Sequence, residues 1–200
     1  MDAIMNIQPV TLMGKIVRLE PLSFRHIPEL AVAGRDQGIW QYMLYGNVTD
    51  ETEMRAWVED ILGRAVGGVE LPFAVIHLAS GRAIGATRFL EIRPQHHGVE
   101  IGGTWYAPAY QHTLVNTECK YLLLTHAFEV WQCIRVQLKT DSRNERSQRA
   151  IERIGAMREG ILRNHLILQD GTVRHSVYYS ILDREWPLVK KGLELRLKSN

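Results

Sequence analysis

One segment, from Gly98 to Trp131, constrains the fold more than any other part of the sequence. It opens with the strand-like run GVEIGGTWY, passes through a polar loop and ends in a stretch from Thr117 to Trp131 that is apolar on almost every side. A helix without a polar face must be covered over most of its surface. The order of strand, loop and buried helix therefore predicts an α/β domain in which this helix packs against a sheet.

The remaining strand patterns predict that this sheet is single and central. The Ser80-Gly81 and Asp170-Gly171 pairs predict hairpin turns. In GVEIGGTWY, Gly102-Gly103 predicts a bulge or a splayed backbone. The other strand-like runs are IVRLEPL, LPFAVIHLA, RAIGATRFLEI, IRVQLKT, ILRNHLIL and TVRHSVYYSIL.

Two helices carry recognisable end signals. Asp50 and Glu53 have the spacing of a capping box at the start of a helix that extends to Ala65. Asn144 can cap a second, shorter helix, and Gly155 suits the left-handed position after it. The elements alternate along the chain, which predicts a mixed α/β domain.

Composition excludes several classes of protein. The 200 residues suit one domain with its own core, and the net charge of +2 does not point to nucleic-acid binding. No stretch approaches the ~18 apolar residues of a membrane span. Cys119 and Cys133 lack the spacing of a zinc site and are expected to be reduced core thiols. The N-terminus does not read as a signal peptide, so the cytoplasm is the expected location.

The polar loop after Tyr106 is the first place that could carry chemistry. We expect the next helix to start near Asn116 or Thr117. Its first backbone N–H groups lack intrahelical partners, and the helix dipole adds partial positive charge there. The junction could therefore hold an anion, although every strand-to-helix junction offers the same geometry.

The helix after Asn144 is the second such place. Ser147 shares a face with apolar residues, so it is either a satisfied core hydroxyl or a proton donor in a cleft. Arg146, Arg149 and Arg153 form another stripe. Such a stripe is either a solvated face or an edge that docks phosphate.

These pieces together resemble the GNAT acetyltransferases, and in particular the branch that includes the ribosomal-protein N-terminal acetyltransferases. The resemblance extends from about Ile16 to Trp186 and rests on GKIVRLEPLSFRHIPELA, RAIGATRFLEI, IGGTWYAPAYQHTLVNTECKYLLLTHAFE, RNERSQRAIERIGAMREGILR and DGTVRHSVYYSILDREWP. It implies one domain over residues 1–200 with a core at about 16–186. It also implies a mixed, mostly antiparallel sheet whose middle strands splay apart, flanked by helices.

The resemblance implies acetyl-CoA as co-substrate and no metal. The family's phosphate loop reads Gln/Arg-x-x-Gly-x-Gly/Ala; here only Gln111 matches, because Leu114 and Asn116 replace the small residues. In the family, the Asn of the later helix contacts the pantetheine arm and its Ser lies near the thioester sulfur. The implied coenzyme-binding residues are Gln111, His112, Thr113, Leu114, Val115, Asn116, Thr117, Asn144 and Ser147.

The implied reaction is direct acyl transfer to an amine. An N–H near Gly103 or Thr104 could stabilise the tetrahedral oxyanion. A base must leave the amine neutral, and Glu100 is the first candidate and Glu91 the second. For both residues, an ordinary solvent-facing position on a strand is an equally good explanation.

The departing thiolate needs a proton or a hydrogen-bond donor. Ser147 is one option, and Tyr178 or Tyr179 is another, although neighbouring strand residues face opposite sides and only one can enter the cleft. The expected catalytic residues are Glu100, Ser147 and Tyr179.

The acceptor is expected to be a primary amine, either a protein N-terminus or a small molecule. Trp40, Tyr42 and Tyr45 either pack in the interior or shape its pocket. The glycine-poor loop favours an alternative, a coenzyme-binding regulatory or interaction module without turnover. The sequence leaves the oligomeric state open, a homodimer included.

Overall fold

Eight strands form one sheet, which is the frame for every other element. The structure of the protein, a computed structural model, describes residues 5–198. The strands are β1 (Leu12–Met13), β2 (Val17–Pro21), β3 (Leu71–His77), β4 (Ala83–Arg93), β5 (Gly98–Tyr106), β6 (Arg135–Asp141), β7 (Met157–Ile167) and β8 (Val173–Leu182). Their order in the sheet is β1-β2-β3-β4-β5-β6-β8-β7, and the neighbouring strands β5 and β6 run parallel to each other. This confirms the predicted mixed, mostly antiparallel sheet.

Five α-helices cover the two faces of the sheet. They are α1 (Ile27–Ala33), α2 (Glu51–Ala65), α3 (Leu114–Thr125), α4 (Glu145–Arg153) and α5 (Trp186–Lys198). Buried residues of α1 and α2 form one apolar cluster with Trp105. Buried residues of α3, α4 and α5 form a larger cluster that includes Leu123 and Tyr179. The three-layer arrangement explains why α3 has almost no polar face, as the sequence predicted.

Helix α3 begins earlier than the sequence suggested. Thr113 is its N-cap, and the Thr113 Oγ1 accepts a hydrogen bond from the backbone N–H of Val115 at 3.2 Å. The expected start near Asn116 or Thr117 was therefore wrong by about three residues. After Thr125 the helix continues as a π-turn over His126–Val130.

The middle of the sheet splays as predicted. Strands β5 and β6 are paired only where Gly98 to Glu100 lie beside Arg135 to Gln137. Beyond Glu100 the two strands diverge. The β4–β5 register shifts by one residue at this point, and Gly103 adopts a left-handed φ of 56°. A Cβ on Gly103 would lie 2.7 Å from the Arg88 Nε, so both the backbone conformation and the space available favour glycine.

Helix α5 was not expected, since the resemblance ended at Trp186. It packs on α3, where the Tyr121 hydroxyl donates to the Glu194 Oε1 at 3.1 Å. Its signal was present in the sequence, because Pro187 suits a first helical turn and Val189 and Leu193 have helical spacing. No helix among residues 5–198 is long and apolar enough to cross a bilayer.

Candidate active site

The divergence of β5 and β6 opens a cavity of about 840 Å³. Its walls come from β4, β5 and β6, from the start of α3 and from one face of α4. A cavity of this size is large enough for a small-molecule ligand. The residues that the sequence singled out can therefore be judged by whether they line it.

One end of the cavity lies at the start of α3. The Gln111 Nε2 donates to the backbone oxygen of Tyr106 at 3.0 Å, and the Gln111 Oε1 accepts from the Arg146 Nη1 at 2.8 Å. Gln111 thus connects the end of β5 to α4. The Tyr106 hydroxyl donates to the Asn116 Oδ1 at 3.2 Å and fixes that side chain.

Most of the expected coenzyme-binding residues line this end. They are Gln111, His112, Thr113, Asn116, Thr117, Asn144 and Ser147. Val115 instead points into the larger core cluster, and the partly buried Leu114 is not part of the lining. Leu114 could contribute only its backbone N–H, which the first turn of a helix leaves free of an intrahelical partner. The Val115 N–H already donates to the N-cap Thr113 Oγ1.

Helix α4 presents two kinds of side chain to the cavity. The Asn144 Oδ1 caps the helix by accepting from the Ser147 N–H at 3.0 Å. Ser147, Ala150 and Ile151 form an apolar stripe with one hydroxyl, as the helical spacing predicted. The arginine stripe lines the cavity too, through Arg146, Arg149 and Arg153. The stripe therefore has the charge and the position to dock phosphate.

Glu100 lies at the point where the sheet splits. Its side chain is 1% exposed, and the Glu100 Oε2 accepts hydrogen bonds from the Lys139 Nζ at 2.9 Å and the Gln137 Nε2 at 3.0 Å. Burial raises the pKa of the Glu100 carboxyl in spite of the attraction of Lys139. Burial alone would lower the pKa of Lys139, but the charges of Glu100 and Glu91 raise it.

Glu91 belongs to the same network but is exposed. It accepts from the Lys139 Nζ and from the Gln137 Nε2, both at 3.1 Å. Glu91 is therefore a solvent-facing strand residue, whereas Glu100 is not, because it is buried and lines the cavity.

Tyr179 lies away from the cavity. Its side chain is fully buried, and its hydroxyl donates to the Glu152 Oε1 at 3.2 Å on the sheet face that α3 and α5 cover. Burial and this hydrogen bond raise the pKa of Tyr179. The expectation that Tyr179 enters the cleft is thus wrong for this geometry. Tyr178 faces the other side, where Lys139 lies over its ring, but it is not part of the lining either.

Of the three aromatic residues in the loop after α1, one packs in the interior and two line the cavity. Trp40 packs in the core against Trp105, and the Trp40 Nε1 donates to the backbone oxygen of Gly34 at 2.8 Å. Tyr42 and Tyr45 line the cavity, and the Tyr45 hydroxyl accepts a hydrogen bond from Arg88.

Three buried cations of the cavity, Arg88, Lys120 and Arg174, were missed by sequence reasoning. Arg88 is 5% exposed and lies 3.3 Å from the Glu70 Oε2. Lys120 is 6% exposed, and its Nζ donates to the Thr104 Oγ1 at 2.7 Å. A lysine within the apolar helix α3 was a usable signal, since charged side chains are rarely buried without a function or a partner.

Comparisons with known proteins agree with this architecture. Residues 17–157 match the family model described as the acetyltransferase (GNAT) domain. A Bacillus subtilis (strain 168) protein with the provisional name ribosomal N-acetyltransferase YdaF is 28% identical over 171 residues, which are 84% of this chain and 90% of that protein.

Solved structures agree as well. A protein from T. thermophilus, provisionally described as an acetyltransferase, is 39% identical with a TM-score of 0.87, covering 95% of this chain and 98% of its own. Mycobacterium smegmatis RimJ, solved with CoA-disulfide, has the same fold with a TM-score of 0.81 at 21% identity, covering 96% and 97% of the two chains.

Within residues 5–198, no group of three or more His, Cys, Asp or Glu side chains is arranged to hold a metal ion. The fold, the split sheet and the matched residues lead to one assignment: the chain belongs to the GNAT acetyltransferase family.

Proposed function

We propose that this protein is an acetyl-CoA-dependent N-acetyltransferase that transfers an acetyl group directly to a primary amine within a ternary complex. The observation that carries the proposal is the cavity at the β5–β6 split. It combines an anion-binding end at α3 and α4 with a buried carboxylate, Glu100, at the split. A thioester coenzyme and an amine can both enter such a cavity, and no covalent enzyme intermediate is needed.

The coenzyme fits the end of the cavity nearest α3. Its phosphates require donors and positive charge, which the first turn of α3 and the stripe of Arg146, Arg149 and Arg153 supply together. The apolar wall of Ala150 and Ile151 suits the uncharged arm that links the phosphates to the thioester. A bound acetyl-CoA would supply the activated acetyl group.

The residues at the split suit the chemistry of the amine. An amine must lose a proton before or during attack, and Glu100 is the buried carboxylate that can accept it. Its raised pKa makes it a stronger base than an exposed glutamate. The bulge at Gly103 leaves backbone N–H groups free of regular ladder pairing, so one of them can donate to the thioester oxygen.

The acceptor is a protein N-terminus or a small-molecule amine. The provisional name of the Bacillus subtilis relative supports a protein N-terminus. The lining of the cavity contains both cations and carboxylates, among them Arg64, Arg88 and Arg174 and also Glu70, Glu91 and Glu100, so charge alone does not choose the class of amine.

Two measurements test the proposal. At a hundred times its Kd, acetyl-CoA should stabilise the fold by ~2.7 kcal/mol. Thiol release should then be followed with peptides that have free N-termini, with amino acids and with polyamines, and the same peptides with blocked N-termini serve as controls. Coenzyme binding without thiol release from any amine would instead support a regulatory module. A lack of coenzyme binding would overturn both.

A further inference from the structure

Lys120 is a buried cation that pairs with no carboxylate among residues 5–198. Its side chain is 6% exposed and lines the cavity. One of its three N–H groups donates to the Thr104 Oγ1 at 2.7 Å, and that oxygen lies 2.8 Å from the Thr87 Oγ1. Within residues 5–198, no carboxylate forms an ion pair with Lys120. A charge buried in this way is costly unless a ligand completes its environment.

We propose that Lys120 is a catalytic residue, whose ammonium contacts the coenzyme sulfur and gives its proton to the departing thiolate. The proposal rests on the proposed function of the cavity. The acceptor nitrogen forms a bond to the acetyl carbon, and the carbon–sulfur bond breaks with its electron pair going to sulfur. The sulfur takes a proton from Lys120, the amine's proton goes to Glu100, and exchange with water restores both side chains.

The position of Lys120 selects the reacting end of the coenzyme. Its partner Thr104 follows Gly103 directly, at the bulge where β5 leaves β6. The thioester oxygen can be served there by backbone N–H groups, which cannot transfer a proton. The sulfur must finish as a thiol, so it requires a side chain that gives a proton. Tyr179 cannot do this, because its hydroxyl faces Glu152 away from the cavity, and Tyr178 is not part of the lining. The Ser147 hydroxyl lines the cavity, but it is a far weaker acid than a thiol, so it can donate a hydrogen bond to the thiolate without giving up its proton.

The charged groups near Lys120 on α3 and in the cavity do not neutralise its ammonium. Burial lowers the pKa of Lys120 to about 8, with a small opposing effect from Cys119. On the same helix, the Glu118 carboxylate accepts instead from three backbone N–H groups of residues 15–17. The carboxylic acids that line the same cavity are Glu70, Glu91 and Glu100. Glu91 and Glu100 pair with Lys139 and Glu70 pairs with Arg88, so within residues 5–198 none of them is a counterion for Lys120. The cations of the lining include Arg88, Arg149, Arg153 and Arg196.

A lysine with this environment suits a general acid. Efficient proton transfer requires a pKa near the working pH, and an ammonium with its ordinary pKa would hold its proton too tightly. The cavity brings Lys120 into that range while it remains mostly protonated at pH 7.

The test uses the thiol of CoA itself and needs no acceptor. The pKa of the thiol is measured in the binary complex from the ultraviolet absorbance of the thiolate, with the desulfo analogue of CoA as the blank. Cys119 and Cys133 do not interfere, because burial raises the pKa of each to about 12. In the wild-type protein the bound thiol should titrate about one pH unit or more below its value in Lys120→Met.

Two further variants separate the role from a structural one. Lys190→Met removes a surface lysine paired with Glu129 and should leave the thiol pKa unchanged. Lys120→Arg should keep the thiol pKa low but lose kcat, because guanidinium holds its charge yet gives up no proton.

Equal thiol pKa values in wild type and Lys120→Met would overturn the proposal, even if kcat fell in the variant. A wild-type protein that binds no CoA would overturn the proposed function together with it. A lowered thiol pKa without turnover of any amine would support the contact between Lys120 and sulfur while overturning the acetyl transfer.

Discussion

Replacing Lys120 with methionine should make the ligand-free protein more stable at pH 7. Methionine has a similar length, fills irregular space well and carries no charge. The lysine ammonium is buried beside Thr104, and no ion pair involving it occurs within residues 5–198. The substitution therefore removes a desolvated charge at the expense of one hydrogen bond.

The magnitude follows from the pKa of Lys120, which burial lowers from 10.5 to about 8. At ~1.4 kcal/mol for each pH unit, the folded state disfavours the ammonium by about 3 kcal/mol. The lost hydrogen bond to Thr104 returns about 1 kcal/mol. We therefore expect Lys120→Met to raise the free energy of unfolding by about 2 kcal/mol at pH 7.

The pH dependence fixes the cause. Below pH 8 both the folded and the unfolded protein hold the proton on Lys120, and the cost is present in full. Between about 8 and 10.5 the unfolded chain binds more protons than the folded one, so the stability of the wild type gains from this group as pH rises. Above 10.5 the lysine is neutral in both states and the cost has gone.

Urea unfolding of the ligand-free proteins at pH 7 and pH 10 provides the assay. Between these two pH values the free energy of unfolding of the wild type should gain most of the 3 kcal/mol, so the advantage of about 2 kcal/mol for Lys120→Met should disappear. Lys190→Met is the control, because hydrogen bonding to Glu129 raises the pKa of this surface lysine. That variant should lose no more than about 1 kcal/mol at pH 7. If Lys120→Met were destabilised equally at both pH values, Lys120 would not be an unpaired buried charge.

Three other substitutions test the rest of the cavity. Glu100→Gln should lower kcat more than it raises KM, and a pH profile of kcat that keeps its acidic limb would exclude Glu100 as the base. Asn144→Ala should cost about 1 kcal/mol of unfolding free energy and weaken coenzyme binding, whereas Asn144→Asp should keep the cap and most of the stability. Tyr179→Phe should leave kcat/KM unchanged, since its hydroxyl is bonded to Glu152, and a large loss of kcat would contradict that placement.

Local chemistry explains which elements the sequence predicted well. The Asp50 and Glu53 pair has one structural solution, and both of its hydrogen bonds are present, at 2.8 and 3.3 Å. Gly102-Gly103 likewise predicted the bulge, because few other residues fit a positive φ beside the Arg88 side chain. Such features depend on neighbours within a few residues or on one adjacent strand.

Features that depend on the packing of distant segments were less accessible. Whether Tyr178 or Tyr179 enters a cleft depends on which sheet face α3 and α5 cover, and alternation along β8 cannot decide this. The contact between Lys120 and Thr104 likewise depends on how α3 packs beside β5. The burial of Glu100 required both the split of the sheet and the position of Lys139.

The backbone conformation of the loop explains why it can lack the family's glycines. Glycines serve a phosphate loop where the backbone needs a positive φ or a close approach to the ligand. Here His112 takes the positive φ, at 60°, in a residue type that tolerates it better than most. Because Thr113 caps α3, Leu114 and Asn116 are already helical and need no special conformation. If the coenzyme phosphates dock here as we propose, they meet a regular helix N-terminus backed by the arginines of α4, and replacing Leu114 with glycine should weaken α3 without improving coenzyme affinity.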